Sequence, residues 1–162
     1  MLRTLFSLLC LCLCVTSCFK KNDGCGVVDN TVAPTSEQTA VKEYLDSNNI
    51  TATLNPSGFY YKIVSQGSGA TPNLCSHITV SYTGQLTDST VFDHEVNQIF
   101  TLGDLISGWK KGLPLIQSGG EIKLYIPPSL GYGSSGLKDS NGNVVVPGNS
   151  ILIFDIDLLN VQ

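Results

Sequence analysis

Apolar and polar residues alternate in several short stretches of this chain, a pattern that predicts β-strands with one buried face. In residues 78–83 the isoleucine, the valine and the tyrosine fall on one face and the two threonines and the serine on the other. Gly84 and a turn-forming Asp-Ser pair interrupt this strand before an apolar segment resumes. We therefore expect a hairpin that brings Tyr82, Phe92 and Asp93 together.

Further strands are bounded by glycine, proline and polar turn residues. The last of them is rich in Ile, Leu and Phe, and residues 94–98 and 136–143 are polar. We predict these strands at residues 59–64, 99–102, 121–126 and 150–159.

Two segments have helical spacing instead. Residues 35–38 resemble a capping box, and apolar side chains recur every three or four positions after them, which predicts a helix over 36–47. Its apolar stripe is better explained as a packing face than as a partner site. A second helix is expected at 105–112, with Asp104 as its N-cap. Its Trp109 either fills the core or lines a pocket.

These elements predict an α+β fold, with five to six antiparallel strands curled around one short helix and an additional helix before them. The chain has 162 residues, 42% hydrophobic and 14% charged, enough for one ordinary domain. Its formal net charge of −4 gives no basic excess, so nucleic acid is not an expected partner.

The N-terminus has the features of a bacterial lipoprotein signal. Arg3 precedes a short apolar run, and Val-Thr-Ser before Cys18 resembles a lipobox. This implies cleavage before Cys18 and lipid on its sulfur; the alternative is an ordinary signal peptide. Phe19 is not the Asp that retains lipoproteins in the inner membrane, so we expect a lipid-anchored envelope protein at the outer membrane. The predicted division is 1–17 signal peptide, 18–34 flexible tether, 35–57 helix and linker, and 58–162 main domain.

Removal of the signal and lipidation would leave two of the six cysteines, Cys25 and Cys75. In an oxidising compartment such a pair favours a disulfide, which would tie the tether to the domain; two separate thiols are the alternative. His77 and His94, the two histidines, have no further ligands at usable spacing, so no metal is expected.

Four separated groups of residues resemble the signature of FKBP-type peptidyl-prolyl isomerases, in the family's order between about residues 58 and 161. The resemblance implies a sheet curled around one helix with a proline pocket between them, and no cofactor. The groups are Val80-Ser81-Tyr82-Thr83-Gly84 with Leu86 and Phe92-Asp93; Ile106-Ser107-Gly108-Trp109 with Gly112-Leu113; Ile126-Pro127-Pro128 with Leu130-Gly131-Tyr132-Gly133; and Val146-Pro147 with Asn149-Ser150, Leu152 and Phe154.

The resemblance also assigns roles around that pocket. Trp109 matches its floor, Tyr132 a hydroxyl aimed at a substrate carbonyl, and the N–H of Ile106 a second donor. Asp93 has no proton to move in this reaction, so it fits a rim carboxylate bonded to Tyr82 better than an acid or base. Catalytic roles are expected for Tyr82, Asp93, Trp109 and Tyr132, and substrate-binding roles for Phe92, Leu105, Ile106, Val146 and Phe154.

The implied partners are proline-containing polypeptides, the membrane through the lipid, and macrolide inhibitors. The chain departs from the family at Gln98, where an aromatic residue is common, and in the loop 136–143. Two alternatives to an anchored isomerase are a proline-binding chaperone with little turnover and a lipoprotein that uses the domain only as a spacer.

Overall fold

A computed structural model describes Cys25 and residues 29–162. The predicted signal peptide, the lipidation site Cys18 and most of the predicted tether lie outside these residues. The described part contains two helices and eight strands. Their bounds are α1 Thr35–Ser47, β1 Thr53–Leu54, β2 Tyr60–Ser65, β3 His77–Gln85, β4 Val91–Thr101, α2 Ser107–Gly112, β5 Gly120–Ile126, β6 Leu137–Lys138, β7 Val144–Val146 and β8 Leu152–Val161.

Six strands form one antiparallel sheet in the order β1-β2-β5-β8-β3-β4, and β6 and β7 form a separate two-stranded ribbon. The sheet, the short α2 and the preceding α1 confirm the predicted α+β class. The alternation predicted for β3 is also confirmed, because Ile78, Val80 and Tyr82 are all buried. On β5 the same holds for the three apolar residues at alternate positions, which are fully buried.

Helix α2 lies close against the sheet because two of its six residues lack side chains. A Cβ at Gly108 would lie 2.5 Å from Cδ1 of Ile126, and a Cβ at Gly112 would lie 2.7 Å from Cδ1 of Leu124. Both partners are on β5. This close approach brings Trp109, which lies between the two glycines in sequence, into the main hydrophobic core.

Helix α1 packs on the opposite face of the sheet. Val41 and Leu45 form a second cluster with Tyr125 of β5 and Ile153 of β8. The residues directly before and after Tyr125 and Ile153 belong to the main core, so the two clusters lie on opposite faces of the sheet. The predicted packing face is therefore confirmed. The predicted capping box is wrong, because the N-cap is Pro34 and it makes no side-chain hydrogen bond.

Strand β4 differs from the prediction. We expected two apolar pieces separated by polar residues 94–98, but the structure has one strand of 11 residues, with an irregularity near Asn97, whose φ is 56°. Since β4 is at the sheet edge, most of its side chains are exposed and its burial shows no alternation. Periodicity therefore could not identify its central part.

Three smaller corrections concern element ends and loops. Asp104 does not cap α2: it ends a 3₁₀ turn, Leu102–Asp104, and α2 begins at Ser107. The first and last long strands are displaced by one or two residues from their predicted bounds. The predicted polar loop 136–143 contains β6, and the Asp139 carboxylate closes its turn by accepting hydrogen bonds from Asn141 and Asn143.

The end of the predicted tether is in contact with the domain. Ala33 is buried in the main core, and its N–H donates to the carbonyl of Ser57. A disulfide joins Cys25 to Cys75, with the two Cα atoms 4.8 Å apart. Among the residues described, no helix has the length and apolar character needed to cross a membrane.

Candidate active site

A cavity of about 170 Å³ opens between α2 and the concave face of the sheet. It is smaller than the pockets of roughly 300–1,000 Å³ that take drug-sized ligands. Its residues come from β3, β4, α2 and the segment before it, the turn after β5, and β8. The lining consists of Tyr82, Asp93, Phe100, Leu105, Ile106, Trp109, Tyr132 and Phe154.

Trp109 lies at the base of the cavity with only 4% of its surface exposed. Three aromatic rings meet the indole almost at right angles: Tyr82 at 5.0 Å, Phe154 at 5.2 Å and Phe100 at 6.3 Å between ring centroids. Edge-to-face pairs of this kind are favourable beyond the area that they bury. The indole is therefore held in one orientation and offers an apolar surface to the cavity.

Tyr82 is bonded to Asp93 across the β3–β4 hairpin. Its hydroxyl donates to Oδ2 of Asp93 at 2.7 Å. Burial, followed by this hydrogen bond, raises the pKa of Tyr82 well above its usual value. The hydrogen bond expected from the sequence is thus present. Through it the Tyr82 hydroxyl positions the Asp93 carboxylate at the rim of the cavity.

Two other polar groups at the cavity have no hydrogen-bond partner in the part of the chain that the structure describes. The Tyr132 hydroxyl makes no hydrogen bond within the described residues, and neither does the N–H of Ile106, which directly precedes α2. Burial, with a smaller effect of the Asp93 charge, raises the pKa of Tyr132, so its hydroxyl stays protonated at neutral pH. The site therefore has two unused hydrogen-bond donors beside an aromatic wall. A third donor, the buried indole Nε1 of Trp109, also lacks an acceptor among residues 29–162 and Cys25.

The Phe92 and Phe154 rings pack tightly because the neighbouring strand carries a glycine. Their centroids are 5.5 Å apart at 88°, and Phe92 also meets Tyr132 at 6.4 Å. A Cβ on Gly84 would lie 2.7 Å from Cε1 of Phe154 and 2.8 Å from Cζ of Phe92. Gly84 therefore leaves the space that these two rings occupy.

The structure brings seven of the nine predicted pocket residues to the cavity surface. Phe92 instead supports the lining from behind through Phe154 and Tyr132. Val146 is buried in the core at the end of β7 and does not line the cavity. Gln98 is exposed on β4, opposite Val80, and lies outside the lining.

Phe100 lines the cavity but was not among the predicted site residues. Its apolar segment was recognised, but the role of Phe100 depends on the strand register, since Phe100 pairs with Ile78, four residues from Tyr82 along β3. Side chains an even number of positions apart on a strand share a face, so Ile78 and Tyr82 do. The strand alternation was thus a usable signal, but only once β4 was paired with β3.

Comparison with protein families identifies this arrangement. The model of the FKBP-type peptidyl-prolyl cis-trans isomerase domain matches residues 69–159, more than half of the chain. The chain belongs to this family. The FKBP match includes all the cavity-lining residues and both strands of the hairpin that carries Tyr82 and Asp93.

Curated relatives show the same similarity. A probable FKBP-type peptidyl-prolyl cis-trans isomerase of Haemophilus influenzae is 42% identical over 110 residues, which is 65% of this chain and 44% of that protein. The isomerase FkpA of Escherichia coli K12 is 38% identical over 110 residues, 65% of this chain and 38% of that protein. The chain thus matches about two fifths of the length of these relatives.

Two solved structures have the same fold. The crystal structure of FkpA from Escherichia coli aligns with a TM-score of 0.67 at 34% identity, covering 79% of this chain and 60% of that one. A peptidyl-prolyl cis-trans isomerase from Pseudomonas syringae aligns with the same TM-score at 27% identity, covering 82% of this chain and 98% of that one.

Proposed function

We propose that this protein is a peptidyl-prolyl cis/trans isomerase that acts on proline-containing polypeptides. The observation that carries the proposal is an aromatic cavity based on Trp109 with two hydrogen-bond donors, on Tyr132 and Ile106, that have no partner among the described residues. Membership of the FKBP family supports it.

The cavity suits a reaction that breaks no σ bond. Rotation about an X-Pro bond is opposed by amide resonance, with a barrier of about 18–20 kcal/mol. The planar amide is more dipolar than the twisted one, so transfer from water to an apolar cavity raises the energy of the ground state more than that of the transition state. No nucleophile or proton transfer is needed.

Several of the lining residues then have physical roles. The proline ring packs on the Trp109 indole, and the Tyr132 hydroxyl and the Ile106 N–H hold substrate carbonyls in the orientation that favours rotation. If desolvation and positioning together lower the barrier by about 6 kcal/mol, the rate rises roughly ten-thousand-fold. The Asp93 carboxylate orders the rim through Tyr82 and does not transfer a proton.

We further propose that lipid on Cys18 holds the domain at the bacterial envelope, where it assists the folding of secreted and envelope proteins. The Val-Thr-Ser-Cys sequence and the apolar run before it support this part. More than one acyl chain would be needed for durable anchoring. The Cys25–Cys75 disulfide also fits an oxidising compartment outside the cytoplasm.

The test is NMR exchange spectroscopy of cis and trans forms of a proline peptide, with catalytic amounts of the protein. We expect faster exchange with the wild type, a loss of most of the catalysis in Trp109→Ala, and a smaller loss in Tyr132→Phe. Tyr60→Phe is the matched control, since Tyr60 lies with α1 on the other face of the sheet.

An uncatalysed exchange rate with folded wild-type protein would overturn the isomerase assignment. Suppression of the aggregation of a proline-free client by that inactive protein would instead identify a chaperone. For the anchor, mass spectrometry of the envelope-derived protein should find lipid on Cys18, and an unmodified Cys18 would contradict that part alone.

A further inference from the structure

The first helix accepts two hydrogen bonds from the turn that carries Tyr132. The carboxylate Oε2 of Glu37, in the first turn of α1, accepts hydrogen bonds from the N–H of Ser129 at 2.9 Å and from its hydroxyl at 2.7 Å. Both residues are half-buried. Hydrogen bonds to a charged acceptor are roughly twice as strong as neutral ones, so this contact fixes Ser129 in two directions.

Ser129 lies in the 3₁₀ turn Pro128–Leu130, three residues before Tyr132. The carbonyl of Pro128 accepts the N–H groups of Gly131 and Gly133 at 2.9 and 2.8 Å, which places Tyr132 inside this compact turn. The Leu130 side chain is fully buried and anchors the other side of the turn. A displacement of Ser129 is therefore transmitted to the Tyr132 backbone.

Helix α1 has other contacts that hold it against the sheet. Val41 and Leu45 are buried against Tyr125 and Ile153 further along the helix. Glu37 also does not serve its own helix as a cap, since the N-cap makes no side-chain hydrogen bond. The carboxylate instead bonds the turn that carries Tyr132. This turn is not part of the strands that line the cavity.

We infer that Glu37 is a positioning residue, which holds the Ser129 turn so that the Tyr132 hydroxyl remains directed at the bound substrate carbonyl. This deepens the proposed isomerase function and rests on it for its catalytic consequence. The helix before the FKBP domain then contributes to the active site without touching the substrate. It contributes by holding the Tyr132 hydroxyl in place before the substrate binds. A mutation that is distant from the substrate can therefore reduce catalysis by displacing this hydroxyl.

The experiment is a double-mutant cycle on kcat/KM for a proline peptide, measured in the full mature chain. We expect Glu37→Ala to lower kcat/KM about ten-fold, mainly through kcat. In a Tyr132→Phe background, where no hydroxyl remains to be positioned, the same substitution should have little further effect. Ser129→Ala keeps the N–H donor and should give an intermediate loss.

The matched control is Glu43→Ala, which removes an exposed carboxylate from the same helix and should leave kcat/KM unchanged. Thermal unfolding of each variant checks the fold. Glu37→Gln is the conservative variant: its amide oxygen still accepts the Ser129 N–H, so it should recover part of the activity lost in Glu37→Ala.

Equal losses from Glu37→Ala in the wild-type and Tyr132→Phe backgrounds would overturn the positioning role, as would wild-type activity in Glu37→Ala. A second readout does not depend on turnover. The Tyr132 ring, labelled for NMR, should show a changed shift and a pKa nearer the ordinary tyrosine value in Glu37→Ala. If the wild type were inactive, an unchanged Tyr132 signal would still reject this inference separately from the proposed function.

Discussion

Tyr82 and Asp93 are eleven residues apart in sequence, and their side chains meet at 2.7 Å across two adjacent strands. The two are not direct partners in the ladder, since Tyr82 pairs with Glu95 and Asp93 with Gly84. The hydrogen bond thus connects the core-facing tyrosine with a carboxylate at the cavity rim.

Tyr82→Phe and Asp93→Asn should have modest effects on isomerase activity. Each removes or weakens one hydrogen bond but leaves the aromatic base of the cavity intact, so we expect a loss of about ten-fold, since a hydrogen bond to a charged group contributes about 1.5 kcal/mol or more. The measurement is kcat/KM by peptide exchange, compared with Trp109→Ala. Near-complete loss in Asp93→Asn would contradict the structural role and indicate that its charge takes part in the reaction.

Gly108→Ala should destabilise the protein and reduce activity together. The added methyl meets the buried Ile126 side chain at 2.5 Å, and α2 must move away from the sheet with Trp109. Overpacking costs about 1–3 kcal/mol, which exceeds the gain of up to about 1 kcal/mol from replacing a helical glycine. Urea unfolding gives the free energy. Ile126→Val removes the nearest clashing atom, so the double variant should be more stable than the sum of the two single changes; strict additivity would argue against this clash.

Three of the six tyrosines should ionise late in an alkaline titration. Burial raises the pKa of Tyr82 and Tyr132, and burial with the nearby Asp155 charge raises the pKa of Tyr125 to about 12. Below about pH 10 both folded and unfolded states keep these protons, and stability does not change. Above it the unfolded chain loses protons first, so stability falls as pH rises towards the folded-state values.

Ultraviolet absorbance of tyrosinate measures this titration. Tyr82→Phe should remove one of the late-titrating groups. Six tyrosines that all titrated near pH 10 in the folded protein would show that these hydroxyls are not protected.

Reduction of the Cys25–Cys75 disulfide should lower stability without removing activity. The bond joins residues with a sequence separation of 50. Closing a loop of that size lowers the conformational entropy of the unfolded chain, which raises the free energy of unfolding by about 4 kcal/mol at most. Chemical denaturation of oxidised and reduced protein measures the difference. The Cys25→Ser/Cys75→Ser variant should match the reduced protein, and it should not respond to reductant. Identical unfolding of oxidised and reduced wild type would show that the bond does not stabilise the fold.

The sequence predicted the buried elements well because their burial is one-sided. Strands β3 and β5 alternate, and α1 has an apolar stripe, so each could be recognised from its period alone. The FKBP resemblance then supplied the set of cavity residues. Trp109 shows how periodicity and family resemblance differ as signals. The residue pattern alone left open whether Trp109 filled the core or lined a pocket, and the structure shows that it does both.

The parts that could not be predicted depend on contacts between distant segments. The centre of β4 has no periodic signal because it is exposed at the edge of the sheet. Glu37 was interpreted as part of a capping box, but its acceptor oxygen bonds Ser129, 92 residues away. Phe100 required the β3–β4 register. Such roles are set by tertiary packing, which outweighs local preference.

The position of β8 has a consequence for assembly. It is the last strand along the chain but an internal strand of the sheet, between β3 and β5. Until β8 is in place, β1-β2-β5 and β3-β4 are two unconnected pieces, each with an open edge that can pair wrongly. Phe154, which closes the cavity beside Trp109, also comes from β8. A fragment that ends before β8 therefore lacks both the strand that joins the two parts of the sheet and one wall of the cavity.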